Sequence, residues 1–170
     1  MRLGIYNSST TMGDKIKFQY VYPRPKNITE VQKRYIREEF HKFEEALMSN
    51  SYANPETGYN KYIDTRSFVD NFIINELSKD PDAYRLSAYF YKDRNDWYNK
   101  IINGPVWDYD LVWFNADFGG GERHDDWQYS YGFQVDSTAK WPTSFWWRRL
   151  IEDPVFVEEI NCSCHHLRKN

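Results

Sequence analysis

Residues 62–94 read YIDTRSFVDNFIINELSKDPDAYRLSAYFYKDR, and residues 104–111 read GPVWDYDL. Asp64 or Thr65 is a helix cap, after which Phe68, Val69, Phe72, Ile73 and Leu77 recur at helical spacing and make one apolar face. Pro81 does not continue that helix, since its ring removes an amide donor and clashes with the preceding turn. Asp80 and Asp82 therefore flank it in a turn. Leu86, Ala88 and Phe90 then alternate with Ser87, Tyr89 and Tyr91, which is the period of a strand. Residues 93–103 are a polar excursion. Beyond Gly104 and Pro105, Val106, Asp108, Asp110 and Val112 share one side of an extended chain, and Trp107, Tyr109, Leu111 and Trp113 share the other. Strand, polar turn and strand predict a hairpin, with Asp82 before its first strand and Asp108 and Asp110 within its second.

The helix carries two residues that do not suit its apolar face. Asn75 lies three residues after Phe72 and Glu76 four, so both fall on or beside that face. A buried carboxylate needs a partner. Either Glu76 snorkels at the edge of the face while Asn75 ties down a loop, or the two support a polar site.

Upstream, Ile16, Phe18 and Tyr20 alternate with Lys17 and Gln19 as a half-buried strand, which Pro23 and Pro25 end. Thr29 and Gln32 form a capping box, and Ile36, Phe40, Phe43 and Leu47 repeat at helical spacing, predicting an amphipathic helix over Glu30–Met48. Residues 49–62, with Asn54, Pro55 and Gly58, are a loop. Downstream, residues 115–137 read as loop. Gly119 to Gly121 lack the Lys and Ser or Thr of a phosphate loop. A short helix then carries Phe145, Trp146, Trp147 and Leu150, and Asp153 with Pro154 starts another. Near the C-terminus Cys162, Cys164, His165 and His166 crowd together. They fit either a zinc site or a solvated helix end, and the absence of paired ligand spacings favours the second.

A chain of 170 residues is one domain's length, and 19% aromatic content beside 28% charge makes it globular rather than disordered. The net charge of −3 supplies no basic field, so no nucleic-acid partner is expected. No apolar run approaches the roughly 20 residues of a membrane span, and residues 1–12 lack the pattern of a signal peptide. Asn7, Asn27 and Asn161 match the glycosylation sequon, a pattern too short to carry weight in an Asn-rich chain. The expected fold is α+β and mostly helical, with helices around a small antiparallel hairpin.

Phosphoryl transfer from ATP needs one group to orient or deprotonate the acceptor hydroxyl and another to hold magnesium on the phosphates. Protein kinases place these groups on either side of a hairpin, with a metal-binding side chain five residues after the catalytic Asp. Asp82, Ser87 and Asp108 stand in that order, with residues 93–103 lengthening the spacing. A solvated rim of acidic residues flanking a hairpin has the same appearance.

The stretches quoted above, together with FWWRRLIEDPVFVEEI at residues 145–160 and PETGYNKYID at residues 55–64, resemble the CotH kinase family over residues 16–167. These are spore-coat protein H-like atypical kinases, common also as secreted or surface proteins of gut Bacteroidetes. The resemblance implies a kinase C-lobe-like fold and ATP- and Mg²⁺-dependent phosphoryl transfer to proteins. It makes Asp82 the catalytic aspartate and Asp108 the magnesium ligand, with Ser87 and Asp110 as further candidate metal residues. Asn75, Glu76, Arg85 and Trp107 match family positions around the nucleotide site. Where the family often has Asn and Gly, this chain has Asp80 and Ala83, both beside Asp82.

A kinase N-lobe with its phosphate-binding lysine would precede Ile16, where about fifteen residues stand. The expectation is a single C-lobe-like domain over residues 1–170, incomplete as a catalyst alone, whose partners are a protein substrate or a missing N-lobe segment. Related full-length proteins are secreted or on the cell surface. The alternative is a non-catalytic module, or a degenerate remnant of a surface protein, that binds protein or glycan through Trp97, Trp107, Trp113, Trp127 and Trp141. For each of those rings, core packing is the competing explanation.

Overall fold

The structure, a computed structural model, describes residues 5–7, 17–94, 98–134 and 143–169. The chain divides into two compact units, residues 1–62 and 63–170.

In the first unit a short antiparallel ladder joins β1 (Ile5–Asn7) to β2 (Lys17–Gln19), with Tyr6 opposite Phe18. The strand expected around Phe18 is present; Ile16 lies outside the described residues. Helix α1 (Glu30–Met48) begins at Thr29, whose hydroxyl accepts the Gln32 amide at 3.2 Å while the Gln32 side chain accepts the Thr29 amide at 2.9 Å. This is the expected capping box. The helix buries Phe40, Phe43 and Leu47, and Phe18 lies 5.2 Å from Phe40 between ring centres. Residues 52–58 close a turn, through Gly58 N–H to the Asn54 carbonyl (2.8 Å) and Tyr59 N–H to the Tyr52 carbonyl (3.0 Å), that leads into a single 3₁₀ turn, Tyr59–Lys61.

The second unit is built on α2 (Thr65–Ser78), capped by Asp64, whose carboxylate accepts the Ser67 amide at 2.8 Å. Phe68, Val69, Phe72 and Ile73 are buried as the spacing predicts, whereas Leu77 is 57% exposed. The hairpin exists, but with different strands from those expected. β3 (Phe90–Lys92) pairs with β4 (Ile101–Asn103), Phe90 opposite Asn103. Leu86 and Ala88 precede the ladder, because the amides of Arg85, Leu86 and Ser87 all donate to the Asp82 carbonyl within 3.0 Å and hold a turn there.

The second predicted strand, residues 106–114, is instead a loop. It follows a cis Gly104–Pro105 bond and contains a 3₁₀ turn, Tyr109–Leu111, with Asp108, Trp113 and Phe114 all at φ between 55° and 66°. An extended strand cannot hold those angles. Asp108 and Asp110 therefore follow the hairpin instead of lying within it.

Residues 115–137 are not all loop either: α3 spans Gln128–Gln134, and residues 135–137 lie outside the described residues. Helix α4 (Phe145–Ile151) is capped by Ser144, and α5 (Pro154–Leu167) starts at Asp153, as the Asp153–Pro154 pair predicts. Trp147 packs against Tyr84, Phe68 and Phe72 at 4.9 to 5.9 Å, and Trp146 meets Phe90 edge-on at 5.4 Å. These rings join the helices to the hairpin. Among the described residues the architecture is α+β, mostly helical, with a small two-stranded antiparallel sheet in each unit.

Candidate functional site

Helix α2 ends at Lys79, whose left-handed backbone (φ 57°) turns the chain out of the helix. Asp80 follows, and its Oδ1 accepts the amide of Asp82 at 2.9 Å, the local bond that acidic residues use to build turns. Asp82 is half-buried, and its carboxylate accepts the Arg85 guanidinium at 2.6 Å. The Asp82 carbonyl takes the Ser87 amide at 3.0 Å, so Ser87, like Arg85, belongs to the same tight turn.

The loop bearing Asp108 is held by the end of α2 and not by the hairpin. Tyr109 donates its hydroxyl to the side-chain carbonyl of Asn75, and the Trp113 amide donates to the Ser78 carbonyl at 2.6 Å. Asn75 in turn donates to Asn71 Oδ1 at 2.8 Å, and Asn103 of β4 donates to the same oxygen at 3.1 Å. Asn75 is thus buried and bonded through both ends of its amide. Asp108 and Asp110 are exposed on the loop, and Trp107 is exposed beside them with its ring 5.7 Å from that of Tyr89.

Glu76 is buried and satisfied. Its Oε1 accepts the Tyr84 hydroxyl at 2.7 Å and the Tyr129 amide at 2.8 Å, and its Oε2 accepts the Gln128 amide at 2.6 Å. The two amides are the first of α3, so a carboxylate from α2 caps a helix remote in sequence. Burial pushes the Glu76 carboxyl up while these three donors pull it down, and the net shift is upward. Of the two readings open for Asn75 and Glu76, the structure supports loop-tying for Asn75. Glu76 is buried in this role and does not snorkel.

The feature that sequence reasoning did not place in the site is Asp80. It has no exposed surface, and its Oδ2 has no hydrogen-bond partner among the described residues. Burial pushes its carboxyl up to about 6, with the charges of Asp82, Asp108 and Asp110 adding to the shift and the Asp82 amide opposing it. Three carboxylates from two loops thus act on a fourth. Nothing in its spacing marks Asp80, but its place just past a helix C-terminus, where the helix dipole is negative, is unfavourable for an anion.

This has a consequence for stability. The unfolded chain releases the Asp80 proton near 4 and the folded chain near 6, so between these values the folded state binds more protons and stability falls as pH rises. The difference amounts to about 3 kcal/mol above pH 6. Metal-free wild type and Asp80→Asn should therefore unfold alike in urea at pH 4, with the variant more stable at pH 7. Parallel profiles across that range would show that Asp80 does not titrate there.

Carboxylate oxygens are the donors magnesium prefers, and Asp108 and Asp110 expose theirs on the loop after the hairpin. Among the described residues no three His, Cys, Asp or Glu side chains form a group able to hold a metal ion by themselves. Cys162, Cys164, His165 and His166 lie along the uninterrupted helix α5, with Cys162 exposed and Cys164 half-buried. Among the candidate binding rings, Trp107, Trp113 and Trp127 are exposed, and Trp97 and Trp141 lie outside the described residues. No described helix is long and apolar enough to cross a membrane.

A family model described as CotH kinase protein matches residues 4–170. No curated protein and no solved structure matches the chain.

Proposed function

The chain belongs to the CotH kinase family, and from that premise we propose that its site serves ATP-dependent phosphoryl transfer to a protein hydroxyl, with Asp82 as general base and Asp108 as magnesium ligand. The observation that supports this reading is electrostatic: the charges of Asp82, Asp108 and Asp110, from loops before and after the hairpin, all act on the buried carboxyl of Asp80. In the transfer, the acceptor oxygen bonds to the γ-phosphorus as the bond to the ADP oxygen breaks, and the hydroxyl proton passes to Asp82 Oδ. A magnesium ion held by Asp108 would supply charge neutralisation on the phosphates.

The chain's own residues do the positioning. Arg85 grips Asp82 in an ion pair and fixes the direction of its carboxylate. Asn75 holds Tyr109 and so the turn carrying Asp108 and Asp110. Glu76 acts at one remove, by fixing Tyr84 and the start of α3. Ser87 reaches the same turn as Asp82 and supplies an oxygen at the position five residues on. Trp107 offers an exposed ring beside Asp108 for a nucleotide base.

Calorimetric titration of the chain with ATP and Mn²⁺ or Mg²⁺, beside Asp108→Ala, tests the reading. The expected result is metal-dependent binding in the wild type and at least tenfold weaker binding in the variant. An absence of heat at millimolar nucleotide would sink it.

One observation favours a second reading. Trp107, Trp113, Phe114 and Trp127, all within residues 107–127, are each more than half exposed. On this reading the chain is a non-catalytic binding module for protein or glycan. Nucleotide-independent binding of a glycan or protein, lost on substituting those rings, is the outcome that selects it.

A further inference from the structure

Beyond the hairpin the chain runs along α2 toward the end of that helix and is bonded to it at three successive levels. Asn103, the last residue of β4, donates its amide to Ser67 Oγ at 3.1 Å and its side-chain N–H₂ to Asn71 Oδ1 at 3.1 Å. One turn on, Tyr109 donates its hydroxyl to Asn75 Oδ1, and at the end of the helix the Trp113 amide donates to the Ser78 carbonyl at 2.6 Å. Ser67, Asn71 and Asn75 are spaced four residues apart, so they form one polar row on the helix. Asn71 is the member that the first two levels share. Its Oδ1 accepts the Asn103 side chain and also, at 2.8 Å, the Asn75 side chain. An amide carries its donors on one end and its acceptor on the other, so fixing Asn75 Nδ2 on Asn71 turns Asn75 Oδ1 toward Tyr109.

The loop held in this way needs such support. Asp108, Trp113 and Phe114 all have left-handed backbone angles, which residues with a Cβ adopt at a cost and keep only when their surroundings impose them. Asp108 immediately precedes Tyr109, and Asp108 and Asp110 both present exposed carboxylates. We infer that Asn71 is a positioning residue for this loop: its side-chain oxygen, by ordering the amides of Asn75 and Asn103, sets where along α2 the carboxylates of Asp108 and Asp110 stand. The inference rests on the reading of the site given above and adds to it a residue that acts only through its neighbours.

Asn71→Ala removes the shared acceptor while keeping a strong helix former, and Asn71→Asp restores an oxygen at the same place. Asn71 is half-buried, so the aspartate keeps contact with solvent. The probe is Mn²⁺ in the presence of ATP, followed through the free-ion signal in electron paramagnetic resonance, for wild type, both Asn71 variants and Asp108→Ala. Amide hydrogen exchange at Trp113 is measured on the same proteins without metal. The expected result in Asn71→Ala is roughly fivefold or greater loss of Mn²⁺ affinity and faster exchange at Trp113, with both returning toward wild type in Asn71→Asp. A side chain that only stabilised the fold would lower the melting temperature and leave the affinity of the folded protein unchanged. Wild-type affinity in Asn71→Ala, with loss in Asp108→Ala, would therefore overturn the inference and leave the kinase reading standing. Equal losses in the two Asn71 variants would also overturn it, since the shared acceptor would not be what matters. No Mn²⁺ binding by the wild type, with or without ATP, would remove the reading of the site and this inference with it.

Discussion

Glu76→Ala is expected to lower the unfolding free energy of residues 63–170 by about 3 kcal/mol or more, the largest effect of any side chain in the site. The carboxylate serves three donors at once, the Tyr84 hydroxyl and the amides of Gln128 and Tyr129, at 2.6 to 2.8 Å. Alanine leaves all three without an acceptor, and each buried unsatisfied group costs about 1 to 3 kcal/mol. At roughly 2 to 4 °C per kcal/mol for a chain of this size, the melting temperature should fall by about 6 to 12 °C. All seven Trp fall within residues 63–170, so indole fluorescence reports this unit. Glu76→Gln, which keeps one oxygen but places an amide N–H₂ against donors, should recover only part of the loss. A fall of less than 2 °C in Glu76→Ala would show that α3 finds another cap.

Gly58→Ala is expected to break the turn ahead of the 3₁₀ turn in the first unit. A Cβ at this position would stand 2.0 Å from the Tyr52 carbonyl oxygen and 2.6 Å from that of Asn54. Both obstacles are backbone, so no side chain can rotate away. The same two carbonyls accept the amides of Tyr59 and Gly58, and Tyr59 behind them is fully buried. Relieving the clash means giving up those bonds, at about 3 kcal/mol or more. The measurement is amide hydrogen exchange at residue 58 and at Tyr59, where protection should be lost in the variant. Protection at both sites equal to the wild type would contradict the clash.

The helices that sequence reasoning placed are those whose ends are written locally. Thr29 with Gln32, Asp64 with Ser67, and Asp153 with Pro154 each make a cap within a few residues, and α1, α2 and α5 begin there. Helix α3 was not legible because its first amides are satisfied by Glu76, more than fifty positions upstream, and no spacing rule reaches that far. The false strand at residues 106–114 has a related cause. Its alternation is real, but Tyr109 and Trp113 are held by Asn75 and Ser78 of α2, and three left-handed residues follow from that docking.

Within the site, Asp82, Asp108 and their order along the chain were visible as types at a spacing. The burial of Asp80, and the fields that meet on it, depend on how two loops fold over one helix end. Asn75 and Glu76 were legible as misfits on an apolar face. That misfit is the trace of polar groups bonded inside the fold.

Because the end of α2 carries the bonds to Tyr109, Trp113, Gln128 and Tyr129, the distance between Asp82 and Asp108 is set by a five-residue stretch of one helix and not by the strands between them. The connection between β3 and β4 carries none of those bonds; of its described side chains, Tyr98 bonds the Asp64 cap at the other end of α2. Diversity among chains built on this plan should accumulate at the hairpin tip, and a designer seeking to graft a recognition loop would insert it there, leaving residues 75–79 untouched.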